Sequence, residues 1–202
     1  QDVKVQLVEQ GAVRQTLCIT KRYGNTDICQ YVHLYEGALA DQVDIENVVD
    51  WRAENALLKA EFPLSVSNSM ATYDLGLGSI QRPTNTDTNY EVCSHEWTDL
   101  TDASGDYGVT ILNDSRYGWD KPADNTLRLS LLYAPKPGGG YTYQAHQDKG
   151  HHVFTYSLIG HAGALPMAKT VRQATLLNSP LRAFTVSKHK GGLGREWSFL
   201  QS

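Results

Sequence analysis

The stretch EVCSHEWTDLTDASGDYGVTILNDSRYGWD, residues 91–120, is the part of the sequence that decides the fold. Residues 89–97 and 107–112 are rich in β-branched and aromatic side chains, which favour strands. Between them DASGD, residues 102–106, supplies the Asp, Ser and Gly that set tight turns. The loop LNDSRYGWD follows at 112–120. This order of strand, turn, strand and loop predicts antiparallel β-structure.

The same pattern extends outward in both directions. Short alternating runs recur between clusters of Gly, Asn, Asp and Pro, which predicts about a dozen strands in antiparallel sheets packed face to face. Besides the two runs above, we expect strands at 3–9, 13–20, 28–35, 43–51, 56–62, 70–77, 126–133, 152–159, 182–187 and 196–200. The fold class is therefore all-β, an antiparallel sandwich, with at most one short helix near 168–178 that stops before Pro180.

Composition restricts the class of protein. The chain has 202 residues, 41% hydrophobic and 20% charged, with a formal charge of -4. This is the composition of one ordinary globular domain, so we treat 1–202 as a single domain. We expect no nucleic-acid partner, since there is no basic excess, and no membrane span, since no apolar run approaches about 20 residues. The start, QDVKVQLVEQG, lacks the pattern of a secretory signal, which leaves the compartment open.

The three cysteines show no disulfide framework. Cys18, Cys29 and Cys93 form no C-x-x-C pair and no Cys/His spacing typical of zinc. Cys18 and Cys29 lie in strand-like runs, where we interpret them as small buried hydrophobes. Their spacing leaves open a bridge across a hairpin.

Several segments, in order, resemble one known family. These are residues 91–120, LRLSLLYAP at 127–135 and DKGHHVFTYSLIGH at 148–161, together with VDW at 49–51, LLKAEFPLSV at 57–66, IQRPTNTDT at 80–88 and LLNSPL at 176–181. The order resembles that of the large non-catalytic β-domain of α-mannosidases of glycoside hydrolase family 38. The resemblance implies a supersandwich of the galactose-mutarotase type, which agrees with the strand pattern.

The resemblance also implies what this chain lacks. Such enzymes hydrolyse α-mannosides with retention, using an Asp nucleophile and a bound zinc ion. The residues that do this belong to an upstream catalytic domain and match nothing here, so we assign no catalytic and no metal residue to the chain. We expect zinc in the missing domain. The expected partners are that domain of the same polypeptide, a bacterial-type α-mannosidase, and a mannoside glycan.

The 112–120 loop is the first candidate for contact with sugar or with the catalytic domain. Asn113 and Asp114 carry planar hydrogen-bonding groups, and Tyr117 and Trp119 carry flat apolar faces. Tyr133 is a further candidate, because many relatives read LSLLR where this chain reads LSLLY. A purely structural role for the loop stays open, since Asn-Asp before Tyr-Gly also suits a turn.

Two other functions stay open from the residues. A self-sufficient carbohydrate-binding module needs a row of exposed aromatic rings, and the tryptophans at 51, 97, 119 and 197 are dispersed. A mutarotase-like enzyme needs a His and Glu pair, for which His151 or His152 with Glu91 is the combination available. The best candidate set of metal ligands in the sequence is His146, Asp148 and His151, although the spacing of these residues matches no zinc motif.

Overall fold

The computed structural model describes residues 3–136, 144, 147–192, 194 and 196–198. Within these ranges the chain forms thirteen strands, one α-helix and a 3-10 turn at Gly37–Leu39. The strands are β1 (Lys4–Gln10), β2 (Arg14–Tyr23), β3 (Thr26–Tyr35), β4 (Gln42–Trp51), β5 (Ala56–Pro63), β6 (Met70–Asp74), β7 (Ser79–Pro83), β8 (Val92–Cys93), β9 (Trp97–Thr101), β10 (Tyr107–Asn113), β11 (Gly118–Ala123), β12 (Thr126–Ala134) and β13 (Gly150–Ala162). The helix is α1 (Met167–Asn178).

The strands form two antiparallel sheets of unequal width. The large sheet has nine strands in the order β1-β2-β3-β4-β13-β10-β9-β6-β7, and the small sheet has four in the order β5-β12-β11-β8. The predicted all-β, antiparallel class with one short helix is confirmed. The insertion of β13 between β4 and β10 joins the two halves of the large sheet through ladders on both its edges.

The main core lies between the two sheets. Alternate residues along each strand point to one face, which is why the period-two pattern buries a continuous apolar layer. Its largest fully buried members include Trp119, Phe154 and Leu129. Each comes from a central strand.

A second, smaller core lies on the other face of the large sheet. There α1 places Ala174 against Trp97, Leu112 and Ile159. The helix thus has an apolar stripe to bury, and tertiary packing of that stripe stabilises so short a helix.

Two predicted strands do not form in the described residues. RAFTVS, at 182–187, forms no strand, and Phe184 is 81% exposed, because an alternating run needs a partner strand to complete its hydrogen bonds. The run at 196–200 is described only as far as 198, and that part is not a strand. Conversely, β7 and β11 were not among the predicted strands. Both carry Pro and charged side chains, which mask the period-two signal in the sequence.

In the described ranges, the single α-helix has twelve residues, and no helix has the length and apolarity needed to cross a membrane.

Candidate functional site

The candidate site lies at one end of the small sheet. The loop from Asn113 to Tyr117 joins β10 to β11, and Gly118 of β11 pairs with Ser130 of β12. Because the two strands run antiparallel, the start of β11 and the end of β12 lie at the same end of the sheet. The structure therefore brings the 113–117 loop and Tyr133 to a common edge of the sandwich.

Asn113 holds the loop in shape. It is 1% exposed, its Nδ2 donates to His95 O at 2.9 Å, and its Oδ1 accepts from Arg116 N at 2.8 Å. The helix reaches the same residue, because Asn178 Nδ2 donates to Asn113 O. All of these bonds are internal, so the amide of Asn113 has the role of a turn cap.

Asp114 anchors the loop to the large sheet. Its Oδ2 accepts from Thr155 N at 2.8 Å, and its Oδ1 accepts from Ser115 Oγ at 2.8 Å. Each carboxylate oxygen already has a partner in the chain. The group therefore positions the loop on β13.

Trp119 lies inside the main core. Its side chain is fully buried, and its indole nitrogen has no hydrogen-bond partner among the described residues. In this structure the ring is not accessible to a sugar or to another domain, and its contribution is apolar burial.

Two of the five candidates present rings to solvent. Tyr117 is 48% exposed and stacks on His95 with ring centroids 5.7 Å apart. Tyr133 is 45% exposed, and its backbone nitrogen donates to Asp148 Oδ2 at 2.8 Å. Exposed rings at the end of a rigid sandwich can pack against a sugar ring or an apolar side chain.

Arg116 adds a cation between these rings and the core. Its guanidinium carbon lies 4.4 Å from the centre of the Phe154 ring, and its Nε is buried without a partner in the described part of the chain. Burial lowers the pKa of Arg116, while the charges of Asp114 and Asp148 oppose that shift. The cation–π contact of Arg116 joins residues far apart in the chain, and no local motif signals it.

The candidate metal set reaches this arrangement through Asp148, which accepts the hydrogen bond from Tyr133 N. His152 Nε2 lies 2.7 Å from Asp148 O, whereas His151 is exposed beside it on the strand. His146 lies outside the described residues. Within those residues no three His, Cys, Asp or Glu side chains come together in the manner of a metal site. Glu91 contacts Ser130 and Lys59 on the small sheet.

The tryptophans make no exposed row. Trp51, Trp97 and Trp119 are each at most 2% exposed, and Trp197 is 53% exposed.

The candidate site as a whole offers the guanidinium of Arg116, the exposed phenols of Tyr117 and Tyr133, and the His95 imidazole that stacks on Tyr117. Its carboxylates are engaged in holding the backbone.

Comparison with known proteins gives consistent matches. Residues 1–137 match the family described as glycosyl hydrolases family 38 C-terminal domain. Alpha-mannosidase 2C1 of Mus musculus is 39% identical over 140 residues, which are 67% of this chain and 13% of that protein. An alpha-mannosidase of Saccharomyces cerevisiae is 39% identical over 147 residues, 70% of this chain and 13% of the relative. The chain thus spans a small part of the length of these curated relatives.

The fold has a solved counterpart. The crystal structure of an alpha-mannosidase from Enterococcus faecalis superposes with a TM-score of 0.80 over 95% of this chain and 26% of that one, at 18% identity. At 18% identity, this similarity shows that the two chains share a fold and shows nothing about function.

Proposed function

The chain belongs to the glycosyl hydrolase family 38 C-terminal domain family, and from that premise we propose that it is a non-catalytic region of a retaining α-mannosidase. It braces an upstream catalytic domain of the same polypeptide and presents the 113–117 loop to that domain or to the mannoside. The whole protein would hydrolyse terminal α-mannosides.

One observation carries the proposal: the side-chain polar groups of Asn113 and Asp114 are engaged internally, while the half-buried guanidinium of Arg116 has an Nε with no partner among the described residues. Retaining hydrolysis needs two carboxyl groups about 5 Å apart, one of them free to attack the sugar. Carboxylates that accept backbone N–H bonds serve poorly in that role. The arrangement instead suits recognition.

Each side chain of the 113–117 loop has its own proposed role. Asp114 and Asn113 fix the loop, and Arg116 donates hydrogen bonds to a carboxylate of the catalytic domain or to sugar hydroxyls. Tyr117, supported by His95, offers a ring face to the same partner. We propose that the zinc ion of the complete enzyme is held by the upstream domain, where it would grip sugar hydroxyls.

The first test is activity of the chain alone. We expect no release of nitrophenol from nitrophenyl α-mannoside by the purified 202-residue chain, with or without added zinc. The parent-length protein is the positive control. Turnover by the chain itself would refute the non-catalytic assignment.

The second test addresses Arg116 within the parent-length protein. We expect Arg116→Gln to raise KM for an α-mannoside by about tenfold, because one charge-assisted contact is lost. Arg22→Gln is the matched control, since the Arg22 side chain is 65% exposed on the β2–β3 hairpin and, among the described residues, pairs only with Asp27. Equal kinetics for both variants would remove Arg116 from the recognition surface.

A further inference from the structure

Two thiols meet on the outer face of the large sheet. Cys18 lies on β2 and Cys29 on β3, and their sulfur atoms are 3.2 Å apart. Thr20 pairs with Cys29 and Cys18 pairs with Tyr31, so the two cysteines are diagonal neighbours across the hairpin. Diagonal neighbours in an antiparallel pair are within reach of each other's side chains. A disulfide requires about 2.05 Å between sulfurs, so the thiols need to approach by about 1 Å.

We propose that Cys18 and Cys29 form a reversible redox site, which becomes a cross-strand disulfide by exchange with a low-molecular-weight disulfide such as glutathione disulfide. One Cys thiolate attacks a sulfur of that reagent, forms a mixed disulfide and releases one glutathione thiol. The second Cys then attacks its neighbour's sulfur and releases the other glutathione thiol. Both protein thiols lose a hydrogen, and the reagent's disulfide is reduced to two thiols.

The different exposure of the two thiols indicates which of them attacks the glutathione disulfide first. Cys29 is the more exposed of the two and lines an open groove of about 430 Å³, in which the cations of Lys4, Lys21 and Arg22 outnumber the carboxylates of Asp27 and Asp50. Cationic side chains attract the anionic glutathione tripeptide. Cys18 is 9% exposed, and burial raises the pKa of its thiol, with the Cys29 contact acting in the same direction. Cys29 is therefore the attacking residue and Cys18 the resolving one.

The position gives the bond a structural effect. Strands β1 to β3 form one end of the large sheet, and β1 is the edge strand. A bond between β2 and β3 would hold this end together under oxidising conditions. It would be lost again on reduction.

Cys93 provides an internal reference. It is exposed, and neither Cys18 nor Cys29 is in contact with it in the described part of the chain. With glutathione disulfide it should form only a mixed disulfide. The main experiment is therefore done on the Cys93→Ser chain.

The test is mass spectrometry of that variant after incubation with glutathione disulfide. We expect it to lose the mass of two hydrogen atoms and to carry no glutathione. Trypsin cleaves after Lys21 and Arg22, so the two cysteines fall in separate peptides that should remain linked until a reductant is added.

Single variants in the same background test the order. Cys18→Ala should trap glutathione on Cys29, because the resolving thiol is gone. Cys29→Ala should leave Cys18 unmodified, or modified at least about tenfold more slowly. Circular dichroism checks that both variants are folded.

Three outcomes would overturn the proposal. The first is two stable glutathione adducts on the Cys93→Ser chain. The second is that Cys18 and Cys29 of that chain stay free thiols under conditions in which Cys93 of the wild-type chain is fully modified. The third is that the Cys18→Ala and Cys29→Ala variants form glutathione adducts equally fast.

Discussion

At the scale of single residues, the buried carboxylate of Asp120 is surrounded by two cations and an amide. It is 1% exposed and accepts hydrogen bonds from Lys59 Nζ at 2.6 Å, from Arg128 and from Asn85 Nδ2 at 3.1 Å. Burial alone would raise the pKa of Asp120, but the bonds from Arg128, Lys59 and Asn85 outweigh it and hold the pKa below its ordinary value. A buried carboxylate of this kind is stable only while all its partners are present.

Asp120→Asn should lower the free energy of unfolding by about 2–4 kcal/mol, because Lys59 and Arg128 lose their shared counter-charge in a poorly hydrated place. Urea unfolding measures this. Glu61→Gln is the control, since Glu61 is 59% exposed and lies 3.9 Å from the same Arg128. It should change stability by less than about 0.5 kcal/mol. Similar losses in both variants would contradict the assigned role of burial.

The same carboxylate predicts a pH dependence. Since its folded-state pKa is lower than that of the unfolded chain, the stability it contributes is fully present above about pH 4 and is lost as pH falls through the folded-state pKa. The stability difference between wild type and Asp120→Asn should therefore shrink on acidification from pH 7 toward pH 2. Unfolding measured at several pH values checks this, and a difference that grows at low pH would contradict it.

At the scale of elements, β9, β10 and β13 are locked together by a buried polar cluster. The carboxylate of Asp99 lies 2.9 Å from His161 Nε2. It also accepts hydrogen bonds from Thr110 Oγ1 at 2.8 Å and from Thr101 Oγ1 at 2.7 Å. Gly108 pairs with both His161 and Thr101. With no side chain there, the imidazole can lie directly across β10. The glycine in this strand is thus required by a close approach.

Gly108→Ala should destabilise the chain by about 2–4 kcal/mol, because the ring must move and Asp99 then loses a partner. The new Cβ would lie 2.4 Å from His161 Nε2 and 3.0 Å from Thr101 Cα. Gly160→Ala on the adjacent strand is the control, as its Cβ would meet nothing within 4 Å. That variant should be neutral or gain up to about 1 kcal/mol. Equal unfolding midpoints for the two variants would show that the close approach is unimportant.

At the scale of the whole molecule, the unequal widths of the sheets leave apolar surface uncovered. The inner faces of β1, β2 and β3 continue the core layer, since Val5 pairs with Ile19 and Leu17 pairs with Val32. The small sheet covers only part of that layer, and Val5, Leu7 and Leu34 are 59%, 54% and 47% exposed. Apolar patches of this kind mark interaction surfaces.

We predict that the isolated chain self-associates with increasing concentration and that Leu17→Lys weakens this association, because it places a charge in the middle of the apolar layer. Light scattering as a function of concentration is the measurement. Leu77→Lys is the control, since Leu77 is fully exposed on the turn between β6 and β7. If both lysine variants associate as wild type does, the patch is not the contact surface.

The sequence by itself determined the fold class, the helix and the family. Alternating side chains at strand spacing and turn residues between them act locally, so runs such as 107–112 and 126–133 are visible before any contact is known. The order of the segments then identified the relationship, which the family match confirms. The solved structure confirms the fold.

Only the tertiary structure decided which strands have partners and which candidate residues are accessible. RAFTVS has the local pattern of a strand but no partner strand in the described part of the chain, whereas the charged β11 is a strand because β8 and β12 flank it. In the same way Trp119 is buried and Arg116 lies over Phe154. The physical reason is that burial and hydrogen bonding depend on groups brought together from distant parts of the chain, which local pattern cannot specify.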